Sequence, residues 1–251
     1  MDRNEFERKM RLGEAFHALR VPPNCWTVVR VDGRSFSRYT AERFEKPFDP
    51  RFRDLMLAAA RALTVELGAI YAFTESDEIS LLLPRTWSMF DREVEKTVSV
   101  SAGVASAAFS VAAGEAAHFD GRIWVGAEDS DAIDYFRWRQ SDATRCCLNG
   151  WVYWTLRNGG ATVAEATKAM EKQNVSDKNE LLFRHGINFN EVPLWQRRGI
   201  GLYWENYEAE GENPTTQEVV AVTRRRLVES GELPMRDEYS NFLFELIGKK
   251  A

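Results

Sequence analysis

The order of predicted secondary-structure elements in the first half of the chain constrains its fold most strongly. Segments rich in β-branched and aromatic residues alternate with segments of helical periodicity, in the order β-α-β-β-α-β. The predicted strands are residues 25–31, 69–73, 78–84 and 122–127, and the predicted helices between them are residues 49–67 and 88–116. This order is the split β-α-β, or ferredoxin-like, arrangement, which predicts an α+β fold whose first and third strands lie side by side in an antiparallel sheet.

The second half of the chain is predicted to be mostly helical. The predicted helices cover residues 129–160, 162–171 and 177–186. A returning strand is predicted at residues 199–208, followed by a turn or loop at residues 210–214 and a helix-rich tail. We therefore expect two parts: a core at residues 1–128 that begins with an amphipathic helix at residues 1–20, and a mostly helical extension at residues 129–251 that packs on it.

Composition and charge narrow the class of protein. A chain of 251 residues that is 44% hydrophobic can bury a sizeable core. No apolar run reaches the roughly 18 residues of a membrane span, and the N-terminus resembles no signal peptide, so we expect a cytoplasmic protein without membrane contact. The net charge of −5 gives no general attraction to nucleic acid. Basic clusters at residues 137–140, 195–198 and 223–227 could bind phosphate, although a solvated helix face is the favoured interpretation of the last one.

A cluster of carboxylates follows from the predicted topology. Asp32 ends the first strand, and Asp77 and Glu78 lie in the hairpin between the second and third strands. Because the first and third strands are expected to be neighbours, these three side chains should meet at one end of the sheet. No linear motif shows this cluster.

Three interpretations of the acidic cluster are open. It could be a polar rim, a general acid/base pair as in glycosidases, or a divalent-metal site for phosphoryl transfer. The neighbouring residues favour the metal site, since Gly33 allows a phosphate to approach the backbone closely and Arg30, Arg34 and Lys46 add cations suited to a triphosphate.

Six ordered segments carry a resemblance to a known family. They are RVDGRSF (30–36), KPFD (46–49), SDEIS (76–80), FDGR (119–122), DYFRWRQSD (134–142) and DKNELLF (177–183). Together they resemble tRNA-histidine guanylyltransferase and the Thg1-like proteins, the 3′-to-5′ polymerase family. The resemblance implies a polymerase-type palm and nucleotide addition to the 5′ end of tRNA. It also implies activation of that end by ATP or direct use of a 5′-triphosphate, with GTP, ATP or other NTPs as substrates, and a homotetramer.

The resemblance also implies roles for individual residues. Asp32, Asp77 and the Gly33 backbone carbonyl would bind two Mg²⁺ ions, and Glu78 would complete the catalytic set. The residues implied for nucleotide or triphosphate binding are Arg30, Gly33, Arg34, Ser35, Phe36, Lys46 and Ser76. The residues expected at a tRNA or second-nucleotide site are Arg139, Asp142, Arg145, Asn149, Lys178, Asn179, Arg197 and Arg198, of which the last two come from the basic cluster at 195–198.

One segment departs from the pattern of the eukaryotic members. Residues 144–150, TRCCLNG, have Thr144 where those members have histidine and Cys146 where they have asparagine. The departure resembles the bacterial and archaeal Thg1-like branch and favours template-dependent 5′-end repair over dedicated addition of G to tRNA-His. A nucleotidyl or diguanylate cyclase and a non-catalytic RNA-binding module are the remaining alternatives.

Overall fold

A single antiparallel sheet of six strands organises the chain. The computed structural model describes residues 2–212 and 217–248. The strands are β1 (Trp26–Gly33), β2 (Tyr71–Glu75), β3 (Glu78–Leu83), β4 (Phe119–Gly126), β5 (Ile200–Glu212) and β6 (Val219–Ser230). Their order across the sheet is β4-β1-β3-β2-β5-β6, so the prediction that the first and third strands are central neighbours is confirmed.

The helices follow the predicted pattern in most places. They are α1 (Arg3–Arg11), α2 (Phe36–Ala41), α3 (Pro50–Glu66), α4 (Val94–Ala113), α5 (Asp129–Asn158), α6 (Val163–Met170), α7 (Val175–Arg184), α8 (Leu194–Arg198) and α9 (Arg236–Gly248). Local signals explain several starts. Asp49 caps α3 by accepting a hydrogen bond from the Arg51 N–H, with Pro50 at the first helical position. Thr162 and Glu165 form a capping box at α6.

Both faces of the sheet are covered, which explains why its central strands are apolar on both sides. In β1, Val29 and Val31 face a core formed with α3 and α4, while Trp26 and Val28 face a second core formed with α5 and α9. All six residues of β3 are buried. The end of β1 that carries Asp32 therefore lies against packed structure on two sides.

Several predicted elements differ from the observed ones. The helix-rich tail is wrong at residues 219–230, which form β6 and pair with β5 along its length, so the basic cluster at residues 223–227 lies on a strand. The β-branched residues at its start favour a strand, and pairing with β5 satisfies the backbone. Residues 210–212 continue β5 instead of forming a turn, and residues 213–214 lie outside the described ranges.

Other helices were predicted too long, or not at all. The N-terminal helix spans nine residues instead of twenty. The helix predicted at 88–116 is interrupted because Phe90, Asp91 and Arg92 adopt positive φ angles, and α4 starts only at Val94. The short helices α2 and α8 were not predicted.

Helix α4 bears on the expectation about membranes. Its length and composition alone would allow it to cross a membrane, so the prediction that no segment passes this test is wrong. In the fold, Thr97, Ser101, Ala105 and Phe109 are buried on its inner side, where it packs on α3 and the sheet. Helix α4 therefore packs on the fold with one side and leaves much of its other side at the surface.

Candidate active site at the end of the central strands

The predicted carboxylates meet at one end of the central strands. Asp32 and Glu78 are direct partners in the β1–β3 ladder. Asp77 lies in the two-residue turn before β3, and its carbonyl accepts a hydrogen bond of 3.0 Å from the Gly33 N–H. The adjacency predicted for Asp32, Asp77 and Glu78 is therefore confirmed, whereas their chemical role stays a prediction.

Asp32 and Asp77 lie where carboxylates are costly to ionise. Burial, followed by the charge of Asp32, raises the pKa of Asp77 to about 6. Burial and the charge of Asp120 raise the pKa of Asp32. Within residues 2–212 and 217–248, the Asp32 carboxylate accepts no hydrogen bond from another side chain.

These features fit a divalent cation. Mg²⁺ binds oxygen ligands and usually takes only one or two carboxylates from a protein, with water and substrate phosphates completing its shell. Two adjacent carboxylates with raised pKa values gain from a cation, because its charge offsets both their repulsion and their desolvation. Asp32 and Asp77 therefore have the chemistry to hold such an ion.

A second group of possible ligands lies beside this pair. Ligand atoms of Glu75, Asp142 and Cys146 lie within 4.8 Å of one another. Arg139 and Arg145 pair with Asp142, and Arg139 Nη2 is 3.6 Å from Glu75. The two arginines compensate Asp142, whereas burial and then the charge of Glu78 raise the pKa of Glu75 to about 8.

Glu78 differs from its two neighbours because Arg139 holds it. Arg139 Nε and Nη2 donate to the two Glu78 carboxylate oxygens at 2.7 and 2.8 Å. Arg139 is only 5% exposed. Its position does not fit the prediction that it contacts tRNA or a second nucleotide, since the guanidinium is buried among carboxylates. Sequence could not show this, because Arg139 comes from α5, far along the chain from β3.

Gly33 is required by packing as well as by any ligand. A Cβ atom at this position would lie 2.4 Å from ring atoms of Phe36. Phe36 itself is buried and packs against Phe109 and Phe119, so the ring cannot retreat easily. Glycine therefore lets the end of β1 lie directly on the core.

A cleft lined by aromatic residues opens beside Asp77, with a volume of about 270 Å³. Lys46 and Ser76 line it together with Phe48, Trp154 and Trp195. Lys46 Nζ donates to Thr40 Oγ1 at 2.6 Å and lies 5.9 Å from the centre of the Trp154 ring. Burial lowers the pKa of Lys46, while the charge of Asp77 opposes that shift. An anion entering this cleft would meet a poorly hydrated ammonium group.

The other residues predicted for triphosphate binding are dispersed around the same end of β1. Arg30 Nη1 lies 3.7 Å from a Glu78 oxygen, beneath Trp138. Arg34 and Ser35 are exposed. The buried Phe36 reaches the cleft only as part of its wall.

A second, basic groove brings together most of the predicted tRNA residues. It has a volume of about 750 Å³ and lies between α5, α7 and α8. Its lining includes the predicted residues Arg145, Asn149, Lys178, Asn179 and Arg197, and the unpredicted cations Arg137 and Arg236. We call this feature the basic groove; its described lining contains five cations and no carboxylate.

Three predicted residues lie outside the groove: Arg139, which binds Glu78, and also Asp142 and Arg198. Asp142 pairs with Arg139 and Arg145. Arg198 Nη1 donates to the Leu233 carbonyl at 2.8 Å, so this side chain turns into the protein and does not fit its predicted contact with tRNA. Arg197 lines the groove but donates through Nε to the Val192 carbonyl.

One residue of the acidic end was missed. Asp120 on β4 is the direct ladder partner of Asp32 on the side opposite Glu78, and Arg122 Nη2 lies 3.2 Å from it. The signal was present in the FDGR segment, since the predicted fourth strand neighbours the first in the ferredoxin-like order. We call Asp32, Asp77, Glu78 and Asp120 together the acidic end.

Comparison with known proteins identifies similar sequences and structures. Residues 7–127 match the family model described as "Thg1: tRNAHis guanylyltransferase", and residues 130–236 match the Thg1 C-terminal domain. A probable tRNA(His) guanylyltransferase of Bos taurus is 34% identical over 227 residues, which cover 81% of this chain and 75% of the relative.

Two solved structures resemble nearly the whole chain. They are a bacterial tRNA(His) guanylyltransferase (Thg1)-like protein in complex with ATP and one in complex with GTP, each with a TM-score of 0.74. The ATP complex is 26% identical and matches 96% of this chain and 97% of its own. The GTP complex is 27% identical and matches 97% and 99%.

Proposed function

Because this chain belongs to the tRNAHis guanylyltransferase family and is a nucleotidyltransferase, we propose that it adds nucleotides in the 3′-to-5′ direction to the 5′ end of tRNA, directed by the opposite strand of the acceptor stem. The observation that carries the proposal is that Asp77, which lines the cleft together with Lys46, lies beside Asp32 at the end of the central strands. Two carboxylates that can bind metal ions and a lysine that can bind phosphate therefore lie close together, as nucleotidyl transfer requires.

The proposed reaction is a displacement at phosphorus. The 3′-hydroxyl of the incoming nucleotide attacks the 5′-phosphorus of the RNA, which is activated either by adenylylation with ATP or as a triphosphate. A new P–O bond forms as the bond to AMP or pyrophosphate breaks, and the leaving group takes the electron pair. The hydroxyl proton passes to solvent.

The residues of the acidic end and the cleft have separate tasks in this proposal. Asp32, Asp77 and the Gly33 carbonyl would hold two Mg²⁺ ions. The ions, when bound, would neutralise phosphate oxygens and lower the pKa of the attacking hydroxyl. Lys46 and Ser76 would bind the triphosphate, and the rings of Phe48, Trp154 and Trp195 offer stacking surfaces for a base. The ATP and GTP complexes of the similar bacterial proteins support nucleotides as ligands.

The basic groove is the proposed contact for tRNA. RNA phosphates attract clustered Lys and Arg side chains, and the described lining of the groove contains five of them. Two of these cations also pair with carboxylates beside the groove, Arg145 with Asp142 and Arg137 with Asp134. Lys178 also orients Asn149, since its Nζ donates to the Asn149 Oδ1 at 2.8 Å. We further propose that the β1–β4 part of the sheet is a polymerase-type palm and that the active protein is a homotetramer.

Template direction separates the proposal from its main alternative. Metal and triphosphate contacts recognise phosphate and do not distinguish bases, so selection must come from a protein contact to a base or from a template base. The eukaryotic histidine is replaced by Thr144, whose hydroxyl donates to the Arg197 carbonyl at 2.8 Å. That hydroxyl is therefore already used within the fold.

Dedicated guanylyl transfer to tRNA-His is favoured by the names of the curated relatives. The two functions are distinguished by labelling 5′-truncated tRNAs with each NTP while the base opposite the missing nucleotide is changed. We expect the added nucleotide to follow that base. Addition of G alone, whatever the opposing base, would replace the proposal by dedicated guanylyl transfer. A cyclic product formed without RNA would indicate a cyclase.

A further inference from the structure

Both carboxylate oxygens of Glu78 accept hydrogen bonds from other side chains, unlike those of Asp32 and Asp77. Oε1 accepts hydrogen bonds from Arg139 Nε at 2.7 Å and from Ser80 Oγ at 3.3 Å. Oε2 accepts from Arg139 Nη2 at 2.8 Å, and Arg30 Nη1 lies 3.7 Å away. A cation that approached Glu78 would meet the positive charges of Arg139 and Arg30.

Asp32 and Asp77 accept fewer hydrogen bonds from side chains than Glu78 does, and none from arginine within the described residues. The Asp32 carboxylate receives no side-chain hydrogen bond within the part of the chain that the structure describes. One Asp77 oxygen accepts from the hydroxyl of the adjacent Ser76 at 3.1 Å. Asp32 and Asp77 thus keep most of their acceptor positions for a cation, whereas three hydrogen bonds fill most of those on Glu78.

Arg139 is itself held firmly in place. Its guanidinium lies 4.5 Å from the centre of the Trp138 ring, 3.0 Å from Asp142 and 3.6 Å from Glu75. Glu75 and Glu78 are ladder partners that flank the turn carrying Asp77. Arg139 therefore lies beneath the base of that turn and contacts both of its flanking acids.

We propose that Arg139 is a positioning residue that holds Glu78 away from the divalent cations, so that Asp32 and Asp77 are the carboxylates left to bind them. The inference rests on the proposed function for its link to catalysis. Its geometric basis is the two-pronged Arg139–Glu78 pair, which occupies both carboxylate oxygens.

The proposal predicts whether each variant binds the divalent cation more tightly, less tightly or equally well. Glu78→Gln removes an acid that does not bind the cation, while Asp142 still pairs with Arg139. Arg139→Gln frees the Glu78 carboxyl group, which then competes as a third ligand and places the cation wrongly. The double variant removes both charges, so it should restore the original ligand set.

Mn²⁺ binding, followed by the electron paramagnetic resonance signal of the free ion, tests these predictions without relying on activity. We expect Glu78→Gln and the double variant to bind Mn²⁺ within threefold of the unmodified protein, and Arg139→Gln to bind it at least threefold more tightly. Asp32→Asn, as the matched loss of a ligand, should weaken binding more than tenfold. A loss of more than threefold in Glu78→Gln would overturn the proposal, because Glu78 would then be a ligand.

Nucleotide addition gives the second readout. Arg139→Gln should lower the rate at saturating Mg²⁺ at least tenfold, and adding Glu78→Gln should recover most of it, while Arg224→Gln on the exposed strand β6 changes little. A double variant no faster than Arg139→Gln contradicts the proposal. Should Arg139→Gln not fold, Arg139→Lys keeps the charge without the two-pronged pair and should act in the same direction. If the unmodified protein adds no nucleotide, the proposed function fails, while the Mn²⁺ titrations still decide the role of Arg139.

Discussion

The acidic end and the basic groove both lie against α5, but they carry charges of opposite sign and bury them to different extents. At the acidic end, Asp32 and Asp77 are partly buried, and burial together with neighbouring negative charge raises their pKa values. In the basic groove, cations line an open surface without a carboxylate in the described lining. A chain with a net charge of −5 has thus separated its functional charges into two regions.

This difference indicates a division of labour. Partly buried carboxylates that lie close together destabilise the metal-free protein, and a bound cation offsets their repulsion and desolvation. They are therefore suited to holding metal ions for phosphoryl transfer. Exposed cationic side chains carry little desolvation cost, and they attract RNA phosphates over a range that shortens as the salt concentration rises. They are therefore suited to binding RNA. Variants in one region should therefore affect the rate, and variants in the other should affect affinity.

The largest expected effect is loss of chemistry at the acidic end. Asp32→Asn or Asp77→Asn should lower nucleotide addition at least a hundredfold, because removal of a metal ligand costs several kcal/mol of transition-state stabilisation. Single-turnover labelling of a 5′-truncated tRNA measures it. Asp134→Asn, an exposed site on α5, is the matched control. Retention of more than about a tenth of the activity in both variants would show that these acids bind no essential metal.

The next effect concerns RNA affinity. Replacing Arg145 and Lys178 together by Gln should weaken tRNA binding about tenfold near 0.1 M salt and reduce the slope of log affinity against log salt by about 1–2. GTP binding should be unchanged. The control replaces Arg224 and Arg225, exposed on β6, and removes the same charge. Equal losses in both proteins would mean that net charge, not the groove, governs binding.

The rate of nucleotide addition should depend on pH through the carboxylates of the acidic end. Asp77, with a pKa of about 6, must be ionised to bind metal, so addition at subsaturating Mg²⁺ should rise about tenfold per pH unit up to pH 6 and then level off. Because the folded-state pKa lies above the ordinary value, the protonated group stabilises the metal-free protein at low pH. That stability is lost as pH rises through about 6.

Thermal unfolding without metal checks this sign. Asp77→Asn should be more stable than the unmodified protein at pH 8 by on the order of 2–3 kcal/mol, and the difference should shrink toward pH 4. Equal stability at pH 8 would mean that burial of this carboxylate carries little cost.

The smallest effect tests the rigidity of the acidic end. Gly33→Ala should lower the free energy of unfolding by about 1–3 kcal/mol, because the new methyl group would overlap the Phe36 ring. Gly103→Ala in α4 meets no atom within 4 Å and should instead stabilise by about 0.5–1 kcal/mol. Chemical denaturation of both variants measures the contrast. A neutral Gly33→Ala would show that Phe36 moves aside freely.

Sequence predicted the acidic end better than the surroundings of its members. The strand order places Asp32 beside Asp77 and Glu78, since element order nearly determines neighbours in a ferredoxin-like sheet. It could not show that Arg139 and Arg198 turn inward, because the direction of a long side chain depends on distant elements such as β3 and the loop at Leu233.

The strand β6 escaped prediction for a different reason. Residues 219–230 contain both β-branched residues and an arginine run typical of an exposed helix. Pairing with β5 decides between these preferences, and such a long-range contact leaves no local signal.

The most direct test of the separation is one comparison of rate and affinity. Asp77→Asn and the Arg145→Gln, Lys178→Gln variant are each titrated with tRNA, and their single-turnover rates are measured at saturation. The account predicts that Asp77→Asn binds tRNA within threefold of the unmodified protein yet adds nucleotide at least a hundredfold more slowly. The groove variant should need about ten times more tRNA yet react within threefold of the normal rate. Parallel loss of affinity and rate in either variant would contradict the separation.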